Sequence, residues 1–357
     1  MKTRVSMKLV LLGLLVAFSF AVVPVAGAQP GEFVKGVLQP LADGFPKRAI
    51  NIIVVDDPGS RDDLYAKSLQ AALKGVSPVN VTVSDEPAAV GGTWYTVQEV
   101  AKREGGSEGY YPIVVDSFGV PTDLHVEPGT KTIGAKLDQL NMVISTELFP
   151  FIWYQKKNAP WGPTFAGMVK YGKANPGKLR YISKEVGTGP DITAEWVMYA
   201  VGGLKVEKIP QGTSQEVAST VGSGQGDFAV TNLTTVLPNW QAGRIDVTLV
   251  MSETVPDIWK NDPNVVSSKQ AGLNIYTGII EGLGVPSQVP QAHVDWLYKL
   301  FKAAATSDVH QSRAKTIPGM QFRIIDGAAA NAENRKIYED IEPVIRAIGL
   351  HVDDIKK

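Results

Sequence analysis

Tyr181 to Val197, YISKEVGTGPDITAEWV, reads as a strand end, a loop of small residues and a helix start in immediate succession. Leu179 to Ile182 is apolar and aromatic enough for a buried strand. Gly187 and Gly189 then permit backbone conformations that a Cβ penalises, so the chain can turn sharply. Thr188 stands three residues before Asp191, the spacing of an N-cap and a capping box, and Pro190 suits the first helical position. A helix over 191–201 is therefore predicted, with its first N–H groups facing outward. Such a start can cradle an anion, and it serves equally as a strand-to-helix turn with no ligand.

The same device stands earlier in the chain. Ile50 to Val55 (INIIVV) is a near-continuous β-branched run, the pattern of a strand buried on both faces of a parallel sheet. The loop Asp56 to Asp63 follows, then a helix whose apolar face is Leu64, Ala66, Leu69, Ala72 and Leu73, with acidic residues in its first turn. Strands at 80–83 and 111–115 flank a helical segment at 95–102 entered through Gly91 and Gly92. This alternation predicts an open α/β sheet, in which ligands sit outside the carboxyl ends of strands. The stretch 121–134 reads as an irregular connection. Strands follow at 142–144 and 151–154, a helix at 167–174, and beyond the opening stretch a strand at 206–209, a helix over 215–221 capped by Gly212-Thr213-Ser214, and strands at 228–230 and 247–251. Gly222, Gly224 and Gly226 have the look of a dinucleotide loop, but a helix precedes them and a strand follows, so no phosphate cradle forms. Val294, Leu297, Tyr298, Phe301 and Ala304 mark one face of a long helix, and Ile337, Ile341, Val344, Ile345 and Ile348 mark a last one that Pro343 should kink or break.

The first 28 residues carry Lys2, Arg4 and Lys8, an apolar run from Leu9 to Val25, and Ala26-Gly27-Ala28, the make-up of a secretory signal peptide cleaved after Ala28. With no cysteine in the chain, lipid anchoring through an N-terminal Cys, disulfides and thiolate chemistry are excluded. Removing 28 of 357 residues leaves 329, long enough for two cores, and removing three cations takes the formal charge from -1 to -4. A basic footprint for nucleic acid is missing, so a small molecule is the expected partner of a soluble, exported monomer.

Catalytic signatures are missing too. The sequence has no G-x-S-x-G, H-E-x-x-H or P-loop pattern, and His125, His293, His310 and His351 stand without metal-ligand spacing. A binding protein without cofactor or metal is expected rather than an enzyme.

The chain resembles the periplasmic solute-binding receptors of tripartite tricarboxylate transporters, often called Bug receptors, over most of its length past residue 28. The family's first loop, I-I-V-P-F-x-P-G-G-x-x-D-x-x-A-R, is matched by Ile52-Ile53-Val54, Pro58, Gly59, Asp63, Ala66 and Lys67. Its A-Y-A-K-A-N-P-G-K-L-x-Y is close to Lys170 through Tyr181, and G-S-x-G-x-G-T-x-x-H-L-x-x-E meets Ser183, Gly187, Thr188, Ile192 and Glu195. L-L-G-G-Q-V-D and A-G-K-L-R are echoed by Gly222 to Asp227 and by Ala242-Gly243-Arg244-Ile245. Asp56 and Asp57 depart from an apolar and small loop entry, Ser60 and Glu185 replace glycines, and Asp191 stands at the usual His.

The strand and helix pattern restarts near Val143 to Ile152 and Gly272 to Gly278, which predicts two chain crossings there, and the resemblance implies a two-lobed type II periplasmic-binding-protein fold, with lobe 1 formed by 29–147 plus 273–357 and lobe 2 by 148–272. It implies a ligand held between the lobes by Asp57, Pro58, Gly59, Ser60 and Asp63 in the first loop and by Ser183, Glu185, Gly187, Thr188 and Asp191 in the second. It also implies delivery of a small carboxylate or related polar metabolite to membrane transporter subunits; presentation to a membrane sensor kinase and an exported hydrolase are the alternatives. Asp56, Asp57, Asp62, Asp63, Glu185 and Asp191 crowd the two loops with negative charge. That crowding predicts a ligand with at most one carboxylate, or one accompanied by an amino or neutral polar group.

Overall fold

Ile50–Val54 forms a strand that is buried at all but one position, as its β-branched run demands. In this computed structural model, which describes residues 29–88, 92–317 and 319–354, it is the third strand. The expected signal peptide and its cleavage point lie outside the described residues. Among those residues no helix is long and apolar enough to cross a membrane.

In chain order the elements are β1 (Phe33–Val34), β2 (Val37–Leu38), β3 (Ile50–Val54), α1 (Arg61–Ala72), β4 (Val81–Asp85), α2 (Gly92–Lys102), β5 (Ile113–Asp116), α3 (Gly119–Val126), α4 (Pro128–Thr132) and β6 (Leu140–Lys156). Then come α5 (Phe165–Ala174), β7 (Arg180–Ser183), α6 (Gly189–Ala200), β8 (Glu207–Pro210), α7 (Ser214–Gly222), β9 (Phe228–Asn232), α8 (Leu233–Gln241), β10 (Ile245–Val250) and β11 (Val266–Ser267). The chain closes with β12 (Gly278–Pro286), α9 (Gln291–Ala305), α10 (Asp308–Gln311), β13 (Gln321–Asp326) and α11 (Gly327–Ala347).

Two halves of like topology share β6. On one side the order is β4-β3-β5-β12-β6, on the other β8-β7-β9-β6. In each half a parallel trio, with the first strand in the middle, meets an antiparallel crossing strand. β6 pairs with β12 over 140–150 and with β9 and β10 beyond, so the chain passes between the halves at Pro150 and Phe151. The 147/148 division expected above falls inside this strand. The two strands expected at 142–144 and 151–154 are one, because the polar residues between them, Ser145, Thr146 and Glu147, are buried in the sheet.

Side chains from α1 and α9 close one core over β3, and Trp94, Val97 and Val100 of α2 close the other face. In the second half α7 and α8 pack on one face. On the other, α5 and α6 share a core with Phe118 and with Ile337, Ile341 and Ile345 of α11, which therefore straddles the halves.

Three expectations need correction. The 121–134 stretch holds α3 and α4, which place Pro121 and Pro128 in their first turns, where a missing N–H costs nothing. α11 runs on through Pro343, which is exposed. In α1 the buried face is Tyr65, Ala66, Leu69 and Ala72, while Leu64 is 53% exposed.

Candidate functional site

Both loop-to-helix junctions are built alike. Gly59 precedes the N-cap of α1 with φ +84, and Gly187 precedes that of α6 with φ +83. Four residues after each glycine a buried aspartate turns back onto it: Asp63 Oδ2 accepts from Gly59 N at 2.6 Å, and Asp191 Oδ2 accepts from Gly187 N at 3.0 Å. A lysine neutralises each. Lys67, one turn along α1, donates to Asp63 at 2.7 Å, and Lys208 reaches Asp191 from β8 at 2.7 Å. Lys67, Gly59 and Asp85 outweigh burial and hold the Asp63 carboxyl below the usual carboxylate range. Asp191 also accepts from Ser183 Oγ at 2.7 Å and Tyr181 Oη at 3.2 Å.

This geometry shows what each of the expected site residues touches. Asp63, Asp191 and Ser183 are buried and committed to fixing loop shape. Thr188 occupies the N-cap by backbone angles, but its hydroxyl donates to Glu185 O at 2.7 Å instead of accepting from the helix. Asp191 closes on Gly187 N rather than on Thr188 N, so the capping box does not form. In α1 the cap is regular, with Ser60 Oγ accepting from Asp63 N at 3.2 Å. Asp57, Pro58, Gly59 and Glu185 are exposed, and Ser60, Gly187 and Thr188 half-buried. The acidic crowding is weaker than the sequence suggests: Asp63 and Asp191 face lysines and Asp62 pairs with Arg61 at 2.6 Å.

Between the halves lies a cavity of about 330 Å³. Its first-half wall is Arg61 and Leu64 of α1, its floor Phe149 and Ile279 of the crossing strands, and its second-half wall Asn232, Leu233 and Thr234 at the start of α8. Arg313 and Ile317, after α10, complete it. Asn232 fixes the α8 start by accepting from Thr235 N at 3.0 Å. The lining takes these residues from the second half rather than the expected 183–191 set. The start of α6 meets the first half elsewhere: a Cβ on Gly189 would stand 3.1 Å from Phe151 Cζ and 3.4 Å from Phe118 Cε1.

Beside the cavity the crossing strands carry Glu147 and Glu281, direct cross-strand partners and both buried. Arg313 donates to both oxygens of Glu147, at 3.1 and 3.3 Å, His310 Nε2 lies 3.0 Å from it, and Arg61 Nε donates to Glu281. Burial pushes both carboxyls up, yet His310 and Arg313 hold Glu147 below its usual range. Burial and the Glu147 charge outweigh Arg61 and raise Glu281 well above its own. Glu147 is thus the ionised partner. Nearby, burial lifts Asp116 to about 6, and burial with the neighbouring Asp116 and Glu127 lifts Asp123 to about 7.

The family described as tripartite tricarboxylate transporter family receptor matches residues 73–318. The chain belongs to this receptor family. A UPF0065 protein of Bordetella pertussis is 26% identical over 254 residues, covering 70% of this chain and 75% of that one. Among solved structures, a TctC solute-binding protein from Polaromonas superposes with TM-score 0.74 at 20% identity, covering 85% of this receptor and 99% of that chain. An R. palustris protein solved with adipate gives TM-score 0.60 at 19% identity, covering 85% and 98%. These likenesses show the two-lobed α/β fold. Arg313 and the α8 start went unread in the sequence, where Arg61 stands only as the one cation of the first loop, although Asn232 three residues before Thr235 is an N-cap signal.

Proposed function

We propose that this receptor captures a small carboxylate between its two lobes in the periplasm and delivers it to the membrane subunits of a tripartite tricarboxylate-type transporter. The observation that carries the reading is the interlobe cavity walled by Arg61 and Arg313, in a chain whose family is a transporter receptor family. A cavity between two lobes, with guanidinium groups in its wall, suits an anion that both lobes enclose on closure. The adipate held by one structural relative is consistent with that ligand class. The exposed or half-buried loop residues Asp57, Pro58, Gly59, Ser60, Glu185, Gly187 and Thr188 form the rim, and Ser183, Asp63 and Asp191 position it. The ligand has at most one carboxylate, or one accompanied by an amino or neutral polar group, because Asp56, Asp57 and Glu185 remain exposed in the two loops.

A thermal-shift and calorimetry panel of small carboxylates, neutral amides and sugars tests this. A true ligand at about 100 times its dissociation constant adds roughly 2.7 kcal/mol to native stability. Carboxylates that leave the melting temperature unchanged, while a sugar or neutral amide raises it, would refute the reading.

A further inference from the structure

The cavity wall is unlike a site for a small hydrophilic acid. Leu64, Phe149, Leu233, Ile279 and Ile317 make most of it apolar, and Leu64 is a large aliphatic side chain left 53% exposed on an otherwise well-packed helix. An apolar wall next to the charges of a di- or tricarboxylate would strip water from groups it cannot hydrogen-bond. Asn232 and Thr234 add uncharged polar groups on the second-half wall, and the charged groups in the lining are Arg61 and Arg313. Each spends Nε and Nη2 on carboxyl groups, Arg61 on Glu281 and Asp62, Arg313 on Glu147. Each keeps Nη1 without a hydrogen-bond partner among the described residues, and a guanidinium has five N–H donors to place.

We propose, resting on the carboxylate-receptor reading, that the ligand is an amphiphilic monocarboxylate whose alkyl or aryl body fills this chamber and whose carboxylate is met by Arg61. Arg61 is then the residue that sets specificity for the acid, and Leu64 with Phe149 the pair that sets it for the body. At about 30 Å³ per water-sized volume, a 330 Å³ chamber holds roughly eleven such units, room for a body of about eight carbons or a phenyl ring on a short tether. Each methylene that enters adds about fourfold in affinity.

Calorimetry on the purified receptor with octanoate, 3-phenylpropanoate, 3-phenylpropanamide, acetate, malate and citrate tests the assignment. Octanoate and 3-phenylpropanoate are expected to bind at least tenfold more tightly than acetate or malate, and 3-phenylpropanamide at least tenfold more weakly than its acid. Thr234→Trp, which fills the chamber from an exposed position, should weaken 3-phenylpropanoate at least tenfold, and Arg61→Gln should bring the acid down to the level of the amide. Malate or citrate binding while both body-bearing acids are silent would overturn this inference and leave the carboxylate receptor standing. No acid binding at all would overturn both. Tight 3-phenylpropanoate binding that Thr234→Trp leaves unchanged would place the ligand outside the chamber and refute the assignment without relying on the Arg61 variant.

Discussion

Removing the Asp191 carboxylate should be the most damaging single change in the second lobe's loop. The side chain is fully buried, and four donors converge on it: Gly187 N at 3.0 Å, Ser183 Oγ at 2.7 Å, Tyr181 Oη at 3.2 Å and Lys208 Nζ at 2.7 Å. In Asp191→Ala, Lys208 retains Glu195, at 2.9 Å, and Ser183 Oγ retains Lys184 O, while Gly187 N and Tyr181 Oη lose this acceptor. Breaking a buried ion pair from one side costs about 3–5 kcal/mol, against a total stability of about 5–15 kcal/mol for a folded domain. The expected loss for Asp191→Ala is therefore about 3–5 kcal/mol, read as a fall in the urea midpoint followed by tryptophan fluorescence. Asp191→Asn keeps an acceptor for Gly187 N or Ser183 and should lose less, and adding Lys208→Met to it should recover part of that loss by removing the unpaired cation. A loss under about 1 kcal/mol for Asp191→Ala would mean that the loop is held by something other than this carboxylate.

Gly327→Ala would bring a Cβ to 2.0 Å from Met142 O, so a loss of about 1–3 kcal/mol is expected in thermal melts, and an unchanged melting temperature would contradict the packing of α11 on β6. Burial, with the His351 charge, holds the His125 imidazole below its ordinary pKa although it donates to Tyr338 O, so the unfolded chain takes up a proton first. Stability from this site is present above about pH 6.5 and is lost as pH falls through that value towards the folded pKa; His125→Gln should flatten the urea midpoint between pH 7 and 5. Asp123 has the opposite sign: its folded pKa of about 7 lies above the unfolded value of about 3.9, so the folded state keeps a proton that the unfolded state gives up as pH rises from 4 to 7. Asp123→Asn should therefore raise the urea midpoint at pH 8 more than at pH 4, and an equal change at both would show that the carboxyl is not buried as described.

What the sequence made legible was whatever depends on neighbours in the chain. β3 and β7 read as strands from their β-branched and aromatic runs, and 212–214 reads as a helix cap from its small polar residues, of which Thr213 closes a capping box with Glu216. Features that depend on distant residues escaped. β6 was split in two because Ser145, Thr146 and Glu147 look like a loop until Arg313, 166 residues away, supplies the partner that lets Glu147 be buried. α8 was missed because Pro238 sits inside it, and α3 and α4 because Pro121 and Pro128 open them. The cavity escaped for the same reason as β6: its wall is assembled from five separate stretches between Arg61 and Ile317, and no local pattern announces a surface made that way.

The two loops, alike in backbone, differ in how firmly they are held, and the difference bears on closure. Lys67 reaches Asp63 from one turn along the same helix and its side chain is 50% exposed, so that pair is local and open to screening by salt. Lys208 reaches Asp191 from a neighbouring strand, is 25% exposed, and shares its charge with Glu195. Asp191 has Ser183 and Tyr181 besides, whereas Asp63 has the Asp85 carboxyl at the end of β4. The second loop is thus tied to the sheet beneath it through Tyr181, Ser183 and Lys208, while the first is tied to the sheet through Asp85 and otherwise to its own helix. α1 also carries Arg61, whose partner Glu281 lies on the crossing strand between the lobes. A ligand that engages Arg61 therefore acts on the less restrained loop and on the crossing strand together, which is where a lobe-closing motion has to be transmitted.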